Sequence, residues 1–471
     1  MKYKKKYFLI LIIISITLFS SCVLNKPIQK IENGYANIFT KIYGSNYTDR
    51  VGEVIFTSDG GILLGGYINF KADAPSYVGN VDINQAHNGV DLFLLKLDSN
   101  GEEEWQRIYG GSGAEWALTV QETDDGYIVG GYTTSTDGDL SELEDNGRGP
   151  ARGDPWLIKI DFNGNIVWQK LFPMENTRLD RIGQIKNTDD GGFVTIIQRQ
   201  KNYDFEEKDD VDEDVIVEAF SNIFQVLKLD PIGEIEWEFT WEMEEIPELK
   251  EDLIGFYPTS IDVDRNGDYI ISFYERISPT ENFSKIMKLS SSGDIEWVKK
   301  FGKGNTDLIT KVIDYKGGYL FAGHSNSDTD EFSSNKGDSD YWITRLDNEG
   351  NVIWQKLYGG NARDRANEIA KTPEGNILVT GYTRSNNGDV KGFHGNYDIW
   401  LLKLNENGEL INQKCFGGTA DDRGVSVAVL EENVYLVAGY INSSNGTFNV
   451  NYGSSDIALI KFFMEASENS N

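Results

Sequence analysis

Apolar and polar residues alternate along this chain in short runs, and glycine, aspartate or asparagine closes almost every run. The stretch "GYIVGGYTT" at 126–134 and its near copy "NILVTGYTR" at 376–384 are one kind of run. "DLFLLKLDSNG" at 91–101 and "DIWLLKLNENG" at 398–408 are a second, and "GEEEWQRIYGG" at 101–111 and "GNVIWQKLYGG" at 350–360 a third. A turn such as "TSDGG" (57–61) or "NTDDGG" (187–192) precedes the first kind. Runs of β-branched and aromatic residues between Gly, Asp and Asn clusters predict strands joined by tight turns. No stretch beyond the first 25 residues keeps a 3.6-residue period, so helix should be minor.

The runs recur as a unit. A glycine stands four residues before a tryptophan at Gly101→Trp105, Gly164→Trp168, Gly233→Trp237, Gly293→Trp297 and Gly350→Trp354, and Gly408→Asn412 keeps the spacing. Successive aromatic slots lie 63, 69, 60, 57 and 58 residues apart. Each period holds four strand-like runs. Third strands number seven, at 91–97, 154–160, 223–229, 284–289, 340–346, 398–404 and 456–462, whereas only six fourth strands follow them. The missing one lies at the front, where "NIFTKIYG" (37–44) matches "VIWQKLYG" (352–359), with Phe39 in the Trp slot. The prediction is all-β: a seven-bladed β-propeller of four-stranded antiparallel blades, closed by an N-terminal strand pairing with the last blade.

The composite "D-x-W-L-x-K-L-D-x-x-G-x-x-x-W-Q-K-x-Y-G-G … T-x-D-G-G-Y-I-V-x-G-Y-T" resembles the repeats of bacterial exported seven-bladed propeller proteins, and is distantly similar to quinoprotein-type blades. The resemblance runs from residue 36 to about 463. It is specific for architecture and nearly silent on activity. Blades three and four depart most, since "FTWEMEEIPELKED" (239–252) lacks the Gly-Gly and "KLSSSG" (288–293) lacks the Asp.

The start, "MKYKKKYFLILIIISITLFSSC", has a basic head, an apolar run from Phe8 to Phe19 and small residues before Cys22. That is a secretory signal, too short to span a bilayer comfortably. Ser20-Ser21-Cys22 resembles the lipobox of bacterial lipoproteins, with Phe19 in place of the usual aliphatic residue. The resemblance implies cleavage before Cys22 and acylation there, hence an envelope protein tethered to a membrane, with the outer membrane or cell surface favoured. The organisation is then a signal peptide at 1–21, a lipidated tether at 22–35, the propeller at 36–464 and a polar tail at 465–471. Cys415 is the only other cysteine, so a lipidated Cys22 leaves no intramolecular disulfide.

The net charge of −31 changes the picture of partners. Cleavage removes four lysines and moves it to −35. Such acidity opposes nucleic acid and anionic head groups. A monomer with a protein or glycan ligand is expected.

In an up-and-down blade the one–two and three–four turns share one face, and here they are short and uniform. The two–three loops on the opposite face are long and variable, which places recognition there. A carboxylate recurs on that face just ahead of the inner strand: Asp49, Glu115, Asp180, Asp364 and Asp422. Each lies ten residues before an acidic turn residue: Asp59, Asp125, Asp190, Glu374 and Glu432. Arg50, Arg181, Arg365 and Arg423 follow four of them, and Trp116 replaces the arginine in blade two. Blade four has Phe256 in the carboxylate slot, and blade five Thr306 beside Asp307. One reading is a ring of charge at the channel mouth that captures a cationic or polar ligand. The other is Asp–Arg pairing and strand capping, which needs no ligand and suits a feature repeated in most blades.

The remaining chemistry is sparse. "DVDRNGD" (262–268) begins like a calcium loop but has Phe273 where the twelfth-position Glu belongs, so a β-turn is expected. "DFEEKDDVDED" (204–214) reads as a solvated acidic loop. The loops 135–147 and 385–398 offer spaced Asp and Asn oxygens, which leaves calcium as the one cofactor to consider; none is expected. His87 and His394 stand four before Asp91 and Asp398 and read as repeat-encoded turns; with His324 they complete the histidine inventory, too few for a zinc cluster. A base recurs on every third strand: Lys96, Lys159, Lys228, Lys288, Arg345, Lys403 and Lys461. Blade-to-blade ion pairing is the expectation for them. No nucleophile elbow, P-loop or dinucleotide fingerprint appears in a fitting context. The resulting expectation is a non-catalytic, lipid-anchored scaffold. Its rival is an exported enzyme of quinoprotein-dehydrogenase-like or propeller-lyase type.

Overall fold

The strand-and-turn pattern closes into a ring. The computed structural model describes residues 35–465 apart from 71–76, 79, 83, 85, 88, 144–152, 176, 178, 203–219, 243–254, 279–280, 303–306 and 328–334. The leader, Cys22, the tether to residue 34, the tail from 466 and the acidic run 204–214 lie outside the described residues. Seven antiparallel four-stranded blades follow one another. Their inner strands are Arg50–Phe56, Glu115–Thr123, Arg181–Asn187, Gly255–Val263, Leu308–Tyr315, Asp364–Lys371 and Asp422–Glu431. Blades three and four also touch through one parallel pairing of Asn222 with Gly255. The only helix among the described residues is a single 3-10 turn, Gly138–Leu140.

Blade seven takes its outer strand from the front of the chain. Tyr35–Tyr43 pairs antiparallel with Asp456–Met464, in a register that sets Phe39 opposite Lys461 and Lys41 opposite Leu459. Ring closure therefore brings together segments some 420 residues apart in sequence, the longest loop the chain has to close.

Blades stack face to face, so a third strand is covered on both sides. Asp398–Leu404 is buried at every position, which is why such runs read as continuous apolar stretches and not as alternations. Outer strands begin exposed and end buried, as in Val352–Tyr358. The Gly-to-Trp spacing has its origin here, because the glycine of one blade receives the tryptophan of the blade before it. A methyl group on Gly233, Gly350 or Gly408 would stand 2.7, 2.9 or 2.8 Å from the rings of Trp168, Trp297 or Trp354. The same glycines have φ of +79°, +75° and +70°, so shape and backbone both exclude a side chain. The tyrosine that ends the phrase reaches the same turn: the Tyr109 hydroxyl donates to the Gly164 carbonyl at 2.6 Å, and Tyr358 to that of Gly408.

All seven inner strands carry a β-bulge near their start, just after the second, third or fourth residue. A bulge withdraws one backbone group from the ladder. The neighbouring blade supplies the missing acceptor. Ser426 accepts from the Val54 N–H (3.2 Å), Glu53 from Val120 (3.0 Å) and Thr119 from Ile185 (3.3 Å). Gln184 accepts from Ile261 (3.0 Å) and Ser260 from Val312 (3.2 Å). In the next position Lys311 pairs with Glu368 at 2.8 Å. A polar belt thus runs around the axis at the depth of the bulges. Gln184→Ala is expected to lower stability by about 1–3 kcal/mol by orphaning the Ile261 N–H; a urea midpoint equal to the parent's would show that the belt does not hold the ring.

Candidate ligand-binding mouth

Each inner strand starts at the loop face, and its first residues set the geometry of the axial opening. The five predicted carboxylates lie beneath this opening, buried to 1 % exposure or less. Asp307 joins them in blade five, and Phe256 fills the slot in blade four. Their oxygens are spent on the loops. Asp364 accepts from Thr383, from the Ser385 hydroxyl (2.8 Å) and from the Gly360 N–H (2.8 Å). Glu115 does the same with Thr133 (2.8 Å), Ser135 (2.6 Å) and Gly111 (3.1 Å), and Asp422 with Ser443 (2.6 Å) and Gly418 (2.9 Å). Asp307 holds Ser325 and Ser327, both at 2.6 Å, and Asp49 holds Ser45 (3.0 Å) and the Asn69 N–H (2.8 Å). Among the described residues only Asp180 pairs with an arginine, and it is Arg199 at 2.9 Å, not the adjacent Arg181. The carboxylates cap loops; they are not presented to a ligand.

The same capping fixes the long loops. In blade six the Asn387 carbonyl oxygen accepts from the Asn361 N–H (2.8 Å), Asp389 from Gly359 (3.0 Å) and Ser385 from Ala362 (3.0 Å). Asp137, Asp139 and Ser135 repeat this in blade two, and Asn445, Thr447 and Ser443 in blade seven. Of the oxygens that suggested calcium, those of Asp137, Asp139, Asn387, Asp389 and Asp398 are engaged by backbone N–H groups. Among the described residues no group of three or more His, Cys, Asp or Glu side chains is placed to hold a metal ion. The 262–268 segment is the turn between the first two strands of blade four, closed by Gly267 N–H to Asp264 O at 2.9 Å.

A second set of buried carboxylates starts the third strands: Asp91, Asp340, Asp398 and Asp456. Each accepts a backbone N–H from four residues before, at 2.5–2.9 Å, which is the role of the His87 and His394 turns. Asp340 and Asp364 approach each other across Gly359, where a methyl group would collide with both. Burial first, then the neighbouring carboxylate, raises Asp91 and Asp340 to about 7. Burial also lifts Asp49 to about 7 and Asp456 to about 6.

The third-strand bases sit at the opposite, turn-rich face. They pair mostly within their own blade, and not between blades as expected. Lys96 binds Asp59 (2.9 Å) and Glu104 (3.0 Å), Lys159 binds Asp125 (2.6 Å), and Lys228 binds Asp190 and Glu236 (both 2.7 Å). The reason is register: the lysine lies beside the start of its own second strand, next to the acidic turn. Two cross to the next blade's turns: Lys403 pairs with Glu432 (2.7 Å), and Lys461 donates to the Ser99 carbonyl of blade one (2.9 Å).

What lines the mouth is aromatic and cationic. The cross-strand pairs there are Arg50–Tyr67, Trp116–Tyr132, Arg181–Gln198, Tyr257–Tyr274, Leu308–His324, Arg365–Tyr382 and Arg423–Tyr440. Neighbouring pairs interlock. Arg50 lies 3.5 Å above the Tyr440 ring, Trp116 stacks on Tyr67 at 4.6 Å, and Arg423 lies 4.8 Å from the Tyr382 ring. Tyr257 and Tyr274 stack at 4.6 Å and 7°. Arg181 turns to Gln198, which accepts at 2.7 Å. The arginines and Trp116 were legible in sequence; the tyrosines were not singled out. Their signal is the recurring Gly-Tyr at 66–67, 131–132, 381–382 and 439–440, where the glycine leaves room for the inner-strand carbonyl of Arg50, Trp116, Arg365 or Arg423.

No family model matches the sequence, and no curated protein does. Solved structures share the fold. A protein of unknown function from Dyadobacter fermentans is 12% identical with a TM-score of 0.45, over 92% of this chain and 100% of that one. The PQQ-bound aldose sugar dehydrogenase of Streptomyces coelicolor is 10% identical (TM-score 0.33; 90% and 98% covered), and a 6-phosphogluconolactonase-like protein of Bacteroides uniformis 9% (0.39; 80% and 92%). Similarity at this level extends to architecture and stops there. Among the described residues no helix is long and apolar enough to cross a membrane.

Proposed function

We propose that the chain is an exported lipoprotein, held to a bacterial envelope membrane through Cys22, that docks a glycan or protein ligand non-catalytically at the loop-face mouth. The observation that carries the reading is the arc of interlocked aromatic and arginine side chains across blades six, seven, one and two, with Trp116 stacked on Tyr67. Such groups expose apolar faces with polar edges on a rigid frame and lose little entropy on binding. The carboxylates that an acid–base reaction would recruit are already committed to loop capping. The mature protein with Cys22→Ser should bind a member of a defined panel of envelope glycans and surface proteins, and Trp116→Ala should weaken that binding about tenfold or more. The full chain should partition with membranes and its Cys22→Ser variant should not. Turnover of a sugar or alcohol with added quinone would overturn the non-catalytic reading, and a soluble full-length chain would overturn the anchor.

A further inference from the structure

The charge of the mouth runs against the charge of the chain. In a protein of net charge −31, the loop-face ends of blades five to seven gather Arg363, Arg365, Arg384 and Arg423. They form one cluster. Arg384 donates its backbone N–H to the Arg363 carbonyl at 2.9 Å. Arg365 lies opposite Tyr382, and Arg423 covers both Tyr382 (4.8 Å) and Tyr397 (4.6 Å), with Arg384 5.8 Å from the Tyr397 ring. Arg423 approaches Asp421 at 3.6 Å, the one ion pair of the four among the described residues. The carboxylates directly beneath, Asp364 and Asp422, are consumed by Ser385 and Ser443.

The cluster also holds polar atoms that nothing answers. The Nε atoms of Arg365 and Arg423 are buried without a hydrogen-bond partner, as are both ring nitrogens of His324, which is 5% exposed. Burial, then Arg365 and Arg363, holds the His324 imidazole neutral, with a pKa near 3. A neutral imidazole beside unneutralised guanidinium groups presents an N–H without adding charge. Buried polar groups are ordinarily satisfied, and unanswered groups on neighbouring blades, with Arg365 acting on His324 and both Arg365 and Arg423 beside Tyr382, call for a ligand that accepts.

We propose that the His324–Arg365–Arg423 corner of the mouth binds the carboxylate of an acidic sugar, with the ring of that sugar lying on the Tyr382 and Tyr440 side of the opening. The inference rests on the docking reading above and names its ligand class. A carboxylate is planar, and its two oxygens match the fork of a guanidinium. The adjoining Tyr440, Tyr67 and Trp116 continue the aromatic surface around the mouth, as a chain of such sugars requires. Long-range repulsion from an acidic protein would be offset locally and only at this corner.

The test uses the mature protein with Cys22→Ser and three probes: trigalacturonate, its methyl ester, and a glutamate-rich peptide. Calorimetry should show trigalacturonate binding that weakens with added salt, with the ester and the peptide each about tenfold weaker or more. Arg365→Ala and Arg423→Ala should each weaken binding about thirtyfold or more, and Arg365→Lys, which keeps the charge and loses the fork, about fivefold. Melting curves establish that the variants are folded, and Arg365→Lys serves where alanine unfolds the chain. Equal binding of acid and ester overturns the carboxylate site while leaving glycan docking intact. Tighter binding of the peptide moves the ligand class to protein. Absence of binding by all three, or unchanged affinity in the variants, overturns the proposal.

Discussion

A chain that begins after residue 43 is expected to lose its folded monomer. The strand Tyr35–Tyr43 contributes a full ladder to Asp456–Met464 and buries Ala36, Ile42 and Tyr43. Tyr35 packs on Phe416 and Phe462 at 5.9 and 5.5 Å, and Phe39 fills the aromatic slot against Gly101 of blade one. Burial of several such side chains amounts to about 5 kcal/mol or more, a large share of ordinary stability. Its loss also uncovers the edge of a strand that reads Asp-Ile-Ala-Leu-Ile-Lys-Phe-Phe-Met, an apolar template for pairing with another chain. Truncated protein should elute as oligomer or aggregate and melt at least about 5 °C lower, and a peptide of residues 35–43 added in excess should restore the monomer. Ile42→Asp should give a milder form of the same defect. A truncated chain that stays monomeric with the parent's melting curve would show that the ring does not depend on its latch.

The repeat was readable because the feature that repeats is packing. Gly350 and Trp354 recur in register because the turn glycines Gly101, Gly233, Gly293, Gly350 and Gly408 each receive the preceding blade's ring, so the period carries blade number and closure with it. The mouth was half readable. The Asp-Arg doublets pointed to the right end of the inner strand, yet the two residues part company in space: Asp364 turns in to cap its own loop, while Arg365 lies opposite Tyr382. A strand alternates its side chains between faces, so adjacency in sequence argues against contact. The bulge adds a second obstacle. It shifts the register after Ala366, so polar residues such as Glu368 and Gln184 read as interruptions of an apolar strand when they in fact bond a neighbouring blade. His324 was set aside with the other two histidines because composition counts residues. Its partnerless burial beside Arg365 is visible only in three dimensions.

Acidification from pH 8 to pH 5 is expected to stabilise the protein. Asp49, Asp91 and Asp340 hold their protons up to about pH 7 in the folded chain, and Asp456 to about 6, against an ordinary carboxylate value near 4 when unfolded. Between about pH 4 and 7 the folded state therefore binds more protons than the unfolded one, and stability falls as pH rises through that window and levels off above it. Two groups work in the opposite sense: Asp190, lowered to about 2 by Lys228, whose contribution is lost only below about pH 4, and buried His324, held near 3, which costs about 2 kcal/mol between pH 6.5 and 5 and is outweighed by the four carboxylates. Several such groups at about 1.4 kcal/mol per unit of displacement give an increase of several kcal/mol, or about 5 °C in melting temperature for a chain of this size. Asp340 isolates the cause. Its Oδ1 has no partner and lies with Asp364 Oδ2 beside Gly359, and Asp364 disfavours its ionised form, so a proton on Asp340 relieves the repulsion between the two. Asp340→Asn puts a permanent donor there. The variant should exceed the parent by about 1–3 kcal/mol at pH 8 and match it at pH 5, flattening part of the pH slope. A parent that melts progressively lower from pH 8 to 5, or a variant whose difference from it is the same at both pH values, would mean that these carboxylates are ionised in the folded ring and that their repulsion is neutralised by other means.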